Sequence, residues 1–301
     1  MIPHPGEFAA LLTAIFWTVT ALSFEAASRK IGAIPVNIIR LIVGFAYLSI
    51  FTWIFRGFIF PVDASYHNWI YLILSGLIGF TFGDLCLFKA YVVIGARISM
   101  LIMALAPPMT ALTGWLFLGE RLTLMNMLGM AITLAGVVLV VVKRRKDGLN
   151  GNRIQFSYPV WGILLAFGGA VGQAVGLVLS KYGMGNYDTF AATQIRVIAG
   201  IAGFTVMFTI RGYWKEVFRA LLYTKPMLQL TLGAFFGPFL GVSFSLLAIK
   251  YTETGIAATI MSIIPVLIIL PSVILFKEKV TVKEVFGAVL AVGGVALFFI
   301  V

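Results

Sequence analysis

Residues 125–142 read MNMLGMAITLAGVVLVVV, and residues 143–146 read KRRK. Eighteen positions without a charge rise about 27 Å as an α-helix, close to the roughly 30 Å of hydrocarbon in a bilayer. The cations that end the run suit the water boundary on the cytoplasmic side. Reading outward by apolar run and breaker gives ten such stretches: Phe8–Ser28, Val36–Phe55, Trp69–Ala90, Ile98–Leu118, Met125–Val142, Val160–Lys181, Thr189–Ile210, Met227–Ile249, Ile256–Phe276 and Lys283–Val301. Most connections are short, and Arg56–Asn68, Lys143–Pro159 and Arg211–Pro226 are the longer loops. The alternating ten-residue segments of a β-barrel are missing. The expected fold is therefore an all-α membrane protein of ten transmembrane helices.

Composition agrees. Of 301 residues, 61% are apolar and 11% charged, against about a quarter charged in soluble domains. The single Cys86 excludes a disulfide framework, and His4 with His67 leaves no set of metal ligands, so neither metal nor cofactor is expected. The net charge of +11 is read as a membrane-orientation signal, with no nucleic-acid partner. The expected partners are the lipid bilayer and a small-molecule substrate, with the chain acting as a monomer.

Residues 1–7 contain no Lys or Arg, whereas a cleavable signal needs positive charge before its apolar run. The first span is expected to stay in place. Arg56, Arg121, Lys181 and Lys250 fall on the side where the chain starts, and fifteen Lys/Arg fall on the other. Positive charge marks the cytoplasmic side. Both termini are thus expected to be non-cytoplasmic, in a bacterial inner (plasma) membrane.

The chain also repeats itself at an offset of 158: Gly79, Gly83, Ala90, Pro107, Glu120, Thr123, Gly129 and Gly136 recur as Gly237, Gly241, Ala248, Pro265, Glu278, Thr281, Gly287 and Gly294. Arg40 matches Arg196 at a slightly shorter offset. The matches divide the chain into residues 1–148 and 149–301, five spans each. Five is odd, so the second half enters the membrane in the opposite sense. Inverted repeats of this kind build the two exchangeable arrangements of alternating-access transporters.

Each half runs from a proline-containing helix through Glu-x-(Leu/Val)-Thr to a glycine-dotted last helix. The motif is Leu118-Gly119-Glu120-Arg121-Leu122-Thr123 in the first half and Phe276-Lys277-Glu278-Lys279-Val280-Thr281 in the second. This pattern resembles the EamA repeat of the drug/metabolite transporter superfamily over nearly the whole chain, and among its members the ten-helix bacterial amino-acid exporters. The resemblance implies a basket of helices around a central cavity and export of small metabolites, aromatic amino acids included. Lys277 stands where the first half has Gly119, a departure from the pattern.

Small residues four apart in Gly79–Gly83, Gly168–Gly172–Gly176 and Gly233–Gly237–Gly241 allow close helix approach, either as static packing or as sliding surfaces. Pro107, Pro108, Pro265 and Pro271 each remove a backbone donor and are candidate helix hinges, or simple kinks that shape the bundle.

Charges inside a membrane need partners or water. Glu25, Arg40, Asp84 and Lys89 lie toward the cytoplasmic ends of spans one to three and are expected to form one gate or charge network; a proton-carrying carboxylate at Asp84 or Glu25 is the alternative, and Lys89 could also snorkel. The second half lacks matching acids: Val242 replaces Asp84, and no carboxylate is expected at the depth of Arg196. That arginine is open to two readings, receipt of a substrate carboxylate or bonding to backbone carbonyls with its head turned outward. Trp53, Trp69, Trp161 and Trp214 sit near span ends, where aromatic belts form. Trp17, Phe80, Gln173 and Ser243 join Arg196 as candidate substrate-binding residues, with bundle core as the other reading for each.

A secondary transporter of small metabolites is the leading functional reading. A proton-coupled multidrug exporter and a passive channel are the alternatives. An enzyme is not expected, because the chain carries no His-Glu-x-x-His site and no phosphate-binding loop.

Overall fold

The computed structural model describes residues 5–118, 124–146, 152–252, 257 and 260–297. The first copy of the Glu-x-Leu-Thr motif, residues 119–123, lies outside them. The described chain forms α1 (Pro5–Ile31), α2 (Ala33–Arg56), α3 (Tyr66–Gly76), a π-helical turn π1 (Leu77–Asp84), α4 (Leu85–Met103), α5 (Ala106–Leu118) and α6 (Leu124–Val141). A short hairpin, β1 (Val142–Lys146) with β2 (Asn152–Phe156), follows. Then come α7 (Val160–Met184), α8 (Thr189–Arg211), α9 (Trp214–Ala220), α10 (Thr224–Ala234), π2 (Phe235–Gly241), α11 (Val242–Tyr251), α12 (Ile264–Leu267), α13 (Ile269–Phe276) and α14 (Val282–Leu297).

Six helical stretches among the described residues are long and apolar enough to cross a membrane, and shorter apolar helices accompany them. Local chemistry sets several ends. Ser65 caps α3 reciprocally with Asn68, each side chain accepting from the other's backbone N–H. Asp188 accepts from the Ala191 N–H at the start of α8. Gly57 and Gly212 close α2 and α8 in left-handed conformations, which glycine adopts without a Cβ clash.

The structure refines the sequence expectation in three places. The loop expected over Lys143–Pro159 contains a short antiparallel hairpin in which Arg145 pairs with Arg153, within an otherwise all-helical fold. The helical column from Tyr66 to Met103 is broken where Gly95 takes φ 80° and ψ 158°, between the expected spans Trp69–Ala90 and Ile98–Leu118. The stretch expected as Ile98–Leu118 is interrupted at Ala104–Leu105, and Ile256–Phe276 is interrupted at Ser262–Ile263. Those interruptions lie 158 positions apart and each precedes a proline, Pro107 or Pro265, whose missing N–H is tolerated in a first helical turn.

The repeat is equally visible in the π turns. Leu77–Asp84 and Phe235–Gly241 start 158 positions apart, and each inserts a wider turn into an otherwise α-helical column. Glycines determine how these columns pack. Gly176 lies against Gly79, Gly172 against Gly83 and Gly162 against Val93, so α7 runs antiparallel to the column from α3 to α4. Its symmetry mate is the contact of Gly233 with Phe24, Gly237 with Thr20 and Gly241 with Trp17, which sets α1 antiparallel to the column from α10 to α11. The first helix of each half therefore packs on the third column of the other. The last helices of the two halves also pair, with Gly136 against Gly287 and the Thr133 hydroxyl donating to the Ala291 carbonyl at 3.3 Å. The start of α1 lies by Thr252 at the end of α11, whereas it is the end of α7 that meets the start of α3. Hence α1 and α7 run in opposite senses.

Candidate functional site

A cavity of about 120 Å³ opens where the two halves meet. Its walls come in symmetry-related pairs: Phe80 and Pro238, Asp84 and Val242, Ala104 and Ser262, Pro107 and Pro265, each separated by 158 positions. Trp17 and Gln173, related at the shorter offset of the first helices, complete the set. Both π turns and both helix interruptions thus face one space. Aromatic rings dominate the wall of the first half, with Phe24 and Phe88 at 5.0 Å and Phe88 stacked on Tyr91 at 5.3 Å.

The charges gather on one side of the cavity. Arg40 donates from Nη2 to Asp84 Oδ2 at 2.6 Å and to Asn37 Oδ1 at 3.2 Å, while its Nε has no partner. Both Arg40 and Asp84 line the cavity. The Arg40 guanidinium stands 5.6 Å from the Phe80 ring centroid and 4.6 Å from that of Phe88. Arg196, 5% exposed, stands 4.9 Å from the same Phe80 ring. Its Nε likewise has no hydrogen-bond partner. Asp84 pairs with Arg40, and among the described residues no ion pair joins a carboxylate to Arg196. Phe80 is accordingly flanked by two guanidiniums, of which Arg40 is the one paired with Asp84. Aromatic rings attract cations through their quadrupole, which helps hold both charges in a low-dielectric setting.

The four residues expected to form one charge network separate into different environments. Arg40 and Asp84 pair, but Glu25 binds Arg29 at 2.6 Å one helical turn on, and Lys89 forms no ion pair with either acid among the described residues. The reason is helical phase. Glu25 and Arg29 are four apart and share a face of α1, turned toward Gly95 and Glu278 rather than toward the cavity. Of the substrate-binding candidates, Trp17, Phe80 and Gln173 line the cavity. Arg196 stands behind Phe80, and Ser243 is fully buried next to π2 with an unpartnered hydroxyl. Of the hinge candidates, Pro107 and Pro265 line the cavity, Pro108 sits one residue deeper in α5, and Pro271 lies inside α13. Pro238, inside π2 and against Gly44, is a further bend that the sequence reading passed over.

Each end of the bundle carries a polar network that ties the halves together. On the side opposite the N-terminus, Arg97 binds Glu278 at 2.8 Å and Glu284 at 3.0 Å, and Tyr158 donates to Glu284 at 2.5 Å. Burial and the Glu284 carboxylate push the Tyr158 phenol above its ordinary range. Glu278 is the motif glutamate of the second half. On the N-terminal side, Arg56 binds Asp63 at 2.6 Å and reaches Asp188 at 3.8 Å, and Tyr187 donates to Asp63 at 2.8 Å. Burial, followed by the bond to Asp63, pushes the Tyr187 phenol up to about 12. Burial pushes the Asp63 carboxyl up, but bonds from Tyr187 and Arg56 outweigh it and hold the group below the usual carboxylate range.

With this geometry in place, comparison with known proteins is informative. The family model described as the EamA-like transporter family matches twice, over residues 4–142 and 160–300. The chain belongs to the EamA-like transporter family. It contains two EamA repeats, and the family is one of membrane transporters rather than of enzymes. Relatives include the "Uncharacterized transporter YvbV" of Bacillus subtilis, 28% identical over 64% of this chain and 59% of that one. Human "Solute carrier family 35 member G1" is 26% identical over 71% of this chain and 58% of its own length. An "Uncharacterized transporter in cobO 3'region" of Sinorhizobium is 32% identical over 45% of this chain and 96% of that one. The EamA chain described here thus spans under two thirds of the length of the first two relatives. A solved crystal structure superposes with a TM-score of 0.64, covering 97% of this chain and 95% of that one at 18% identity, which shows a shared fold.

Proposed function

We propose that this EamA protein is a secondary transporter that exports small metabolites, principally amino acids including aromatic ones, by alternating access around the central cavity. Under this reading the chain forms ten membrane spans in two inverted five-helix repeats, residues 1–148 and 149–301. It works as a monomer in a bacterial inner membrane with both termini outside the cytoplasm. The observation that carries the reading is the pairwise symmetry of the cavity wall, because a site shared by two oppositely threaded halves is what alternating access requires. Trp17, Phe80 and Gln173 are the proposed substrate-facing group, with Arg196 behind Phe80 as a substrate-binding cation and Ser243 buried next to π2. Arg40 and Asp84 are its charge network, and Pro107 and Pro265 its hinges. Glu25 and Lys89 act outside the cavity, toward the Arg97 end.

The test is counterflow of radiolabelled amino acids, sugars and organic cations through purified protein in vesicles. Saturable exchange of aromatic amino acids supports the reading, and single-channel currents in a planar bilayer would replace it with a passive pore. A second reading, proton-coupled multidrug export, is favoured by one feature: Asp84 is a carboxylate on the cavity wall. Transport that requires an imposed pH gradient and disappears in Asp84→Asn would select it.

A further inference from the structure

Resting on the transport reading above, the geometry points to a carboxylate receptor at Phe80: we infer that Arg40, with Arg196 behind Phe80 adding its positive charge, recognises the carboxylate of an aromatic or apolar monoacid, and that no charged group is left free for an amino group. The chemistry that distinguishes substrates is thus the anion, and amino acids are accepted as one subset of monocarboxylates.

Three observations lead there. The first is charge. Arg40 and Arg196 both stand by the Phe80 ring and Asp84 pairs with Arg40, so these three groups carry an excess of +1 inside a bundle where an uncompensated charge is costly. The second is unused bonding capacity. A guanidinium offers five donors in a fixed fork, yet among the described residues the hydrogen bonds of Arg40 all leave from Nη2, and Arg196 stands against the Phe80 ring with an unpartnered Nε. Arg40 lines the cavity, where a carboxylate could accept charge-assisted hydrogen bonds from its free Nη1 edge. The third is what the rest of the wall offers. Asp84, the one acid lining the cavity among the described residues, is already bonded to Arg40. An incoming ammonium would meet aromatic rings, the neutral Gln173 and the hydroxyls of Thr20, Thr110 and Ser262, none of which carries a countercharge. Arg196 is the symmetry mate of Arg40 and stands by the same Phe80 ring.

The experiment compares three molecules of one shape: 3-phenylpropionate (anion), phenylalanine (zwitterion) and 2-phenylethylamine (cation). Counterflow is measured in vesicles at neutral pH, above protein-free vesicles, and thermal stabilisation of the wild-type protein in detergent provides a readout that needs no variant. Expected are phenylpropionate signals at least equal to those of phenylalanine, and both at least ten-fold above phenylethylamine. Arg196→Gln removes the excess charge and should abolish that ranking, while Arg196→Lys should restore it. Phenylethylamine handled as well as the acids, phenylpropionate below a tenth of phenylalanine, or an unchanged ranking in a folded Arg196→Gln protein would each overturn the inference. If none of the three moves but phenylpropionate alone stabilises the protein, the receptor stands and the transport reading fails. If none moves or stabilises, the receptor falls too.

Discussion

Replacing Gly172 by alanine puts the packing of the two halves to a direct test. A methyl group there would sit 2.5 Å from the Gly83 Cα, 3.0 Å from the Gly83 nitrogen and 3.1 Å from the Ile78 carbonyl oxygen. Carbon atoms in contact prefer about 3.5–4.0 Å, and all three obstacles are backbone, so no side-chain rotation relieves them. The helices must part by about 1 Å at their crossing. Overpacking of this kind costs about 1–3 kcal/mol, and rigid neighbours argue for the upper half. Alanine recovers roughly 1 kcal/mol of helix propensity over glycine, leaving a net loss of about 1–2 kcal/mol. Two controls isolate the clash. Gly293 has nothing within 4 Å of its would-be Cβ, so Gly293→Ala should be neutral or mildly stabilising. Gly168 meets the Cys86 sulfur at 3.3 Å, a contact that a small side-chain shift relieves, so Gly168→Ala should fall between the two. Denaturant titration of the protein in mixed micelles gives the three values. Gly172→Ala as stable as Gly293→Ala would refute the close crossing and, with it, the registration of α7 on π1.

Arg97→Ala should cost about 2–3 kcal/mol, below the roughly 3–5 expected for one partner of a fully buried pair, because Glu278 retains 21% side-chain exposure; thermal unfolding reads the loss, and Arg97→Lys should recover part of it. Asp84→Leu alone should depress folded yield by leaving the buried Arg40 guanidinium without its counter-charge, whereas the double variant Arg40→Leu/Asp84→Leu should recover yield but not transport; equal yields would refute the pairing. The Tyr187 phenol, raised to about 12, contributes stability that is complete below its unfolded value near 10 and is lost as pH climbs through about 12, so Tyr187→Phe should flatten the alkaline limb of a melting-temperature profile. If the substrate is a monoanion, an inside-negative potential of about 100 mV supplies about 2.3 kcal/mol for its exit, roughly a 50-fold gradient. A potassium–valinomycin potential should therefore drive 3-phenylpropionate but leave zwitterionic phenylalanine nearly unaffected.

Much of the architecture was legible because hydrocarbon imposes a coarse requirement: long apolar runs, and cations gathered at one end of them. The repeat was legible through its chemically distinctive members, Pro107 with Pro265 and Arg40 with Arg196. The hairpin was missed because a basic stretch beside an apolar run reads as a membrane-flanking loop, although Asp147-Gly148 and Asn150-Gly151 are turn dipeptides that could have flagged it. The π turns left no periodicity to detect, since one widened turn shifts helical phase without altering hydropathy. Pairing was the least legible feature. Glu25, Arg40, Asp84 and Lys89 share a depth, but depth says nothing about which face of a helix a side chain occupies. Arg97, which ties α4 to Glu278 and Glu284, was counted only as a loop cation. The approach of Arg196 on α8 to Phe80 on π1 was equally hidden, because it joins the two halves across about 116 positions.

The packing of each half's first helix on the third column of the other explains why symmetry and chemistry are separated in this molecule. The elements that bend or cross are duplicated: π1 with π2, the interruptions before Pro107 and Pro265, and the glycine contacts of α7 and α1. Movement that exchanges the shapes of two halves needs its bending points in matched pairs, because each half must be able to adopt the other's form. The charges follow a different rule. Asp84 corresponds to Val242 in the repeat, and Trp17 to Gln173, so the two halves contribute unequal polar and aromatic groups to the cavity wall. A substrate has only one carboxylate, and a fully symmetric site would offer it two equivalent receptors, each needing its own buried counter-ion. A single Asp84, paired with Arg40, avoids the second buried acid while one guanidinium from each half stays beside Phe80. The loss of one carboxylate from an otherwise duplicated site is what leaves the positive charge free to bind.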